Sequence, residues 1–78
     1  MRGTFNGIHL DRIISIMTEP AGNSTLTTIR GAEPPPLEAM IVNGPARLIL
    51  ADDEIDGVLV AYVADGHGYR ITIESSAD

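Results

Sequence analysis

The chain has 78 residues, and its 11 acidic side chains against five arginines and no lysine give a formal net charge of -6 at pH 7. It contains no cysteine, which excludes a disulfide framework and a thiolate zinc site. No apolar run approaches the roughly 18 residues of a membrane span, and no charged and then apolar leader opens the chain. We therefore expect one small cytoplasmic domain over residues 1–78, without a membrane segment or a secretory signal.

The first third of the chain fits two kinds of secondary structure. Residues 8–18 carry apolar side chains at helical spacing, but four of these eleven residues are isoleucines, which favour a strand. A proline-glycine turn follows, and residues 25–30 then alternate polar and apolar side chains. We predict a hairpin between residues 10–18 and 25–30, and a helix over 8–18 is the alternative.

The middle of the chain is punctuated by prolines and glycines. Residues 34–36 are three consecutive prolines, which form a stiff connector. Residues 36–42 fit either a strand or a short helix that ends at Asn43-Gly44. Residues 46–51 read as a further strand.

The C-terminal third contains the clearest prediction, which is a hairpin of residues 57–64 and 69–74. Tyr69, Ile71 and Ile73 alternate with polar side chains, so they predict one buried face. The first of these strands is apolar on both faces, which predicts a central strand that is covered on two sides. We expect the last residues, 75–78, to form a disordered tail.

Together these segments predict an all-β fold, a small antiparallel meander of five or six strands that is barrel-like or a sandwich. The alternative is an α+β fold with one short helix at 8–18 or 36–42. A domain of this size buries a limited fraction of its surface, and the mean hydropathy of +0.11 is high for an acidic chain. A second copy that covers apolar surface, in a homodimer or a larger homo-oligomer, is therefore an open alternative to a monomer.

The charge is distributed unevenly along the chain. Four arginines and four carboxylates cancel in residues 1–51, whereas residues 52–78 hold Arg70 against seven carboxylates and so carry the whole net charge. A carboxylate-rich surface is suited to docking on a basic partner. The predicted partner-binding residues are Asp52, Asp53, Glu54, Asp56 and Asp65.

Other chemistry has weaker signals. Asp52, Glu54, Asp56 and Gly57 match the first half of a calcium loop, but Val63 stands where the bidentate glutamate belongs. His9 and His67 lack further ligands at metal-binding spacing. No serine lies in a nucleophile motif, and no glycine-rich phosphate loop precedes a helix. We expect no enzyme activity, no metal site and no cofactor.

The sequence thus predicts a non-catalytic acidic protein-binding module. Its partner would be a protein with a basic, nucleic-acid-binding surface that the module occupies as an inhibitor and nucleic-acid mimic, without binding nucleic acid itself. The first alternative is a small oligomeric structural or assembly subunit. The second is calcium or small-ligand binding through the acidic loop.

Overall fold

The computed structural model describes residues 2–10, 12–32, 41–65 and 68–76, which form one antiparallel sheet of seven strands. The strands are β1 (Gly3–Phe5), β2 (Ile8–Leu10), β3 (Ile13–Ala21), β4 (Ser24–Gly31), β5 (Pro45–Leu50), β6 (Glu54–Asp65) and β7 (Gly68–Ser76). Their spatial order is β2-β1-β5-β6-β7-β4-β3. None of the described residues lies in a helix, so this part of the chain contains no helix that could cross a membrane. The all-β prediction is confirmed.

The strand count differs from the predicted five or six because residues 3–10 form a hairpin of two three-residue strands. Asn6 and Gly7 join them, with φ angles of 49° and 86°. Two central residues with positive φ are typical of the tight turn whose twist matches paired strands. Within the described residues β2 and β3 each pair on one side, so the sheet is not closed into the predicted barrel-like form. It is also not a simple meander, because β1 lies beside β5 and β4 lies beside β7.

The predicted hairpin of residues 10–18 and 25–30 is confirmed as β3 and β4, but its first strand begins at Ile13 and extends to Ala21, because Leu10 belongs to β2 and pairs with Gly3. The helix alternative over 8–18 is wrong, and the reason is a β-bulge. The ladder shifts register between Ile13 and Ser15, which leaves Ile14 67% exposed while Ile13 and Ile16 face the core. The apolar residues at helical spacing are Leu10, Ile13, Ile14 and Met17, and of these Ile14, at the bulge, and Met17 are each 67% exposed. The helical pattern therefore combines inward and outward side chains of a bulged strand.

The predicted C-terminal hairpin is confirmed as β6 and β7. The strand β6 is central in the sheet, but the prediction that both of its faces are covered is wrong, because Val58 and Val63 are 40% and 49% exposed. Of residues 36–42, predicted as a strand or a short helix, residues 36–40 lie outside the described part of the chain, so the alternative stays a prediction there. For Ile41 and Val42 the prediction is wrong, because both lie in a turn before β5, where Gly44 N donates to Ile41 O at 3.0 Å. Ser75 and Ser76 were expected in a disordered tail, but they are the last residues of β7 and pair with Thr25 and Ser24. The expectation is therefore wrong for these two residues, and residues 77–78 lie outside the described part.

One face of the sheet, called the inner face here, carries the core. Tyr69, Ile71 and Ile73 are all buried, as their alternation predicts. The remaining buried apolar side chains are Phe5, Leu10, Ile13, Ile29, Ala46, Leu48 and Leu59. The opposite side, called the outer face, carries the alternate residues of each strand, and the charged side chains follow this pattern.

Candidate protein-binding surface

The turn between β5 and β6 presents two of the predicted acidic residues. Leu50 N donates to Asp53 O at 2.8 Å, which closes the turn. The carboxylate of Asp53 accepts a hydrogen bond from Glu54 N at 2.9 Å. Asp52 and Asp53 are exposed. The backbone of this turn is therefore held in place while its charges face water.

Glu54 and Asp56 extend the acidic surface along the outer face of β6. Arg47 on β5 lies directly opposite Asp56, and its Nε donates to Asp56 Oδ1 at 2.9 Å. Its Nη2 lies 3.0 Å from Glu54 Oε1. The hydrogen bond from Asp56, then the charges of Asp56 and Glu54, raise the pKa of the Arg47 guanidinium. All three side chains stay about half exposed or more, so solvent screens these ion pairs.

We call Asp52, Asp53, Glu54 and Asp56 the acidic end. Four carboxylates and the guanidinium of Arg47 leave it with a formal charge of -3. Arg47 was missed by sequence reasoning because its partners follow from the register of β5 on β6. The sequence does contain a signal for this contact. Side chains alternate between the two faces along residues 46–51, and a hairpin between this segment and the segment that begins at residue 54 would have placed Arg47 beside the carboxylates.

Asp65 does not join the acidic end. It is the last residue of β6, whereas Glu54 is the first, and it lies nine positions after Asp56. At about 3.3 Å per residue this is about 30 Å. The five predicted residues therefore form one group of four and one distant residue.

The calcium-like pattern does not form a loop around a central point. Glu54 and Asp56 lie on the extended strand β6, and both carboxylates contact Arg47. Among the described residues no group of three His, Asp or Glu side chains could hold a metal ion. His9 is exposed on β2, and His67 lies outside the described residues.

A second charged feature, absent from the sequence-based prediction, lies on the outer face of β4 and β7. Arg30 and Arg70 are direct partners in this antiparallel ladder, and both side chains are exposed. Neither makes an ion pair with any residue in the described part of the chain. With Ile14 and Val63 they line a surface depression of about 310 Å³. Forty residues separate the two arginines in sequence, so only strand pairing brings them together.

The inner face holds two tyrosines whose hydroxyl groups are buried. Neither Tyr62 Oη nor Tyr69 Oη has a hydrogen-bond partner within the described structure. Burial raises the pKa of both hydroxyls, and for Tyr69 the nearby Tyr62 raises it further. Both groups stay neutral at physiological pH, and they serve as apolar packing here.

Comparison of the chain with family models, with curated proteins and with solved structures finds no match.

Proposed function

We propose that this protein is a non-catalytic cytoplasmic binding module whose acidic end docks on a basic surface of another protein. The observation that carries the proposal is the grouping of four exposed carboxylates at one end of the sheet, of which two, Asp52 and Asp53, have no ion pair with the described residues. Unpaired exposed charges steer association with a surface of opposite sign.

The rigidity of the acidic end supports this function. The turn at Asp53 is closed by backbone hydrogen bonds, and Glu54 and Asp56 lie on the part of β6 that pairs with β5. A surface that is already ordered loses less conformational entropy on binding than a flexible acidic tail does. The absence of cysteine from the sequence fits the reducing cytoplasm.

The basic partner surface is one that otherwise binds phosphates, which makes the module an inhibitor. Carboxylates held on a rigid frame offer the oxygen acceptors that arginine and lysine bind on a nucleic-acid backbone. Occupation of such a groove excludes the nucleic acid by competition for the same cations.

The test is an affinity capture with three matched baits: the wild-type protein, Asp52→Lys and Asp65→Lys. Each substitution changes the net charge equally, but Asp52 lies in the acidic end, whereas Asp65 is the last residue of β6, about 30 Å from Asp56. We expect a partner that wild type and Asp65→Lys retain and that Asp52→Lys retains much more weakly.

The captured partner is then purified, and its association rate with each bait is measured at several salt concentrations. We expect the rate to fall with salt and to fall further for Asp52→Lys. Equal retention by all three baits, or an association rate that salt does not change, would contradict the proposal. The same purified partner is tested for loss of nucleic-acid binding, which decides the inhibitor part.

A further inference from the structure

The outer face of β6, β7, β4 and β3 is arranged in three parallel rows, as the ladder registers show. The basic row is Val63, Arg70, Arg30 and Ser15. The middle row is Ala61, Thr72, Thr28 and Met17. The acidic row is Val58, Glu74, Leu26 and Glu19. On β7 and β4 neighbouring rows are two residues apart, which is about 6.6 Å.

The basic row is unfavourable in the isolated chain. Arg30 and Arg70 stand directly opposite each other, and like charges in this position destabilise a sheet. The chain has 11 carboxylates, yet none in the described part forms an ion pair with either arginine. An acidic group from outside the chain would relieve this repulsion, and bidentate contact with carboxylate is the geometry that guanidinium favours.

The same face also exposes apolar side chains. Met17 is 67% exposed, Val63 49% and Val58 40%. These residues lie in different rows, on β6 and β3, which are the first and the last of the four strands. They therefore lie on either side of the charged residues of β7 and β4. If another molecule covers this face, these side chains add apolar contact area on both sides of the charged pairs.

We propose that a second copy of this chain docks on this face through a twofold axis that runs across the strands along the middle row. Such an axis reverses the strand direction and therefore places the acidic row of each copy on the basic row of the other. The arrangement is isologous, so each contact occurs twice.

The resulting contacts are complementary in charge and in polarity. Arg70 of one copy lies on Glu74 of the second copy, because both are on β7 at equal distances from the axis. Val63 meets Val58 in the same way on β6. Arg30 lies on Leu26 of the second copy. In that copy Leu26 on β4 stands between Glu74 on β7 and Glu19 on β3, and each of these neighbouring strands is about 4.8 Å from β4.

The area that the three rows cover limits the affinity of the dimer. Four strands about 4.8 Å apart and five residues at about 3.3 Å give a face of about 19 by 16 Å. A standard stable complex buries about 800 Å² per partner, which is more than this face supplies. We therefore expect a weak, reversible dimer that forms as the protein concentration rises. Asp52 and Asp53 lie outside the three rows and stay available in the dimer.

The experiment is a charge exchange measured by sedimentation velocity over a series of protein concentrations. The acidic variant carries Arg30→Glu and Arg70→Glu, and the basic variant carries Glu19→Arg and Glu74→Arg. Each has rows of like charge and should be monomeric at concentrations where wild type is dimeric. A mixture of the two variants restores every opposite-charge contact, so we expect a mixed dimer.

Two controls make the outcome specific. Asp52→Arg with Asp53→Arg changes the net charge as much as the basic variant does but leaves the three rows intact, so this variant should still dimerise. A thermal melt of each variant checks that it is folded. If a double reversal unfolds the chain, Arg70→Gln is used instead, and we expect its dimer dissociation constant to rise about tenfold or more.

Three results would overturn the proposal. They are a wild-type monomer at every concentration, a dimer that the row variants do not weaken, and a mixture that stays monomeric although both variants are folded.

Inorganic phosphate is titrated into monomeric wild type as a probe for a small anion. If phosphate binds at the arginine pair and no dimer forms, the pair serves a small anion and the second copy is excluded. Partner capture by the acidic end can fail while this dimer forms, because the two surfaces share no residue.

Discussion

The aromatic ring of Tyr69 lies over Gly31, its direct partner across the β4–β7 ladder. A Cβ atom on Gly31 would collide with ring carbons Cε1 and Cζ and with the hydroxyl oxygen of Tyr69. The ring is only 6% exposed and is packed into the core, so it has little freedom to move aside. The strand can therefore bury a tyrosine here because its neighbour has no side chain.

Gly31→Ala should lower the free energy of unfolding by about 1 to 3 kcal/mol, which is typical of an overpacked core. In a Tyr69→Leu background the same substitution should cost less, because leucine leaves the space that the ring occupies. Urea denaturation of the four chains of this double-mutant cycle measures the coupling. An equal cost of Gly31→Ala in both backgrounds would show that the ring does not constrain this position.

Tyr69→Phe should raise the free energy of unfolding by about 1 kcal/mol. The Tyr69 hydroxyl is buried without a hydrogen-bond partner in the described structure, and such a group costs free energy that a phenyl ring does not. Thermal and urea denaturation check the gain. A loss of stability in the variant would mean that this hydroxyl has a bonding partner after all.

Alkaline pH should destabilise the wild-type chain through the same two tyrosines. Their pKa is raised in the folded state from an ordinary value of 10.0, so folding favours the neutral hydroxyls. This stabilisation is fully present below about pH 10 and is lost as the pH rises through the folded-state pKa. The double variant Tyr62→Phe with Tyr69→Phe should lose less stability over this range. Ultraviolet titration of the folded wild type gives an independent check, because normal tyrosine titration would contradict the prediction.

Asn6→Ala should destabilise the protein by about 1 to 3 kcal/mol. The Asn6 Nδ2 donates to Pro45 O at 3.1 Å, and its Oδ1 accepts from Arg47 N at 2.8 Å. Asn6 also has a φ of 49°, which asparagine tolerates better than alanine does. Asn6→Asp keeps an acceptor for Arg47 N and should cost less. Similar melting temperatures for the two variants would argue against a role for that bond.

Ile71→Ala should cost about 2 to 5 kcal/mol, because this fully buried side chain pairs with Ile29 on one side and Tyr62 on the other. A domain of this length has a total stability near the low end of about 5 to 15 kcal/mol, so this variant should be partly unfolded at room temperature. Ile14→Ala is the matched control. Its side chain is 67% exposed at the bulge, and its removal should change stability by about 0.5 kcal/mol or less. Equal losses for both variants would contradict this placement of the core.

Local alternation was sufficient for the long strands. Tyr69, Ile71 and Ile73 were predicted on one face, and all three are buried. The β3–β4 and β6–β7 hairpins were also predictable, because each joins segments that are adjacent in sequence through a short turn. The bulge at Ile14 hid the period of β3, since one inserted residue moves each later side chain to the other face.

The amino-acid sequence by itself determined the fold class, the two long hairpins and the concentration of negative charge after residue 51, because each of these depends on neighbours along the chain. The tertiary structure decided which distant residues meet: β1 beside β5, β4 beside β7, Arg47 on Glu54 and Asp56, and Arg30 opposite Arg70. Such pairings depend on which strand edges find each other and in what register, and many choices of edge and register are compatible with the same local alternation. Packing of the whole inner face selects among them.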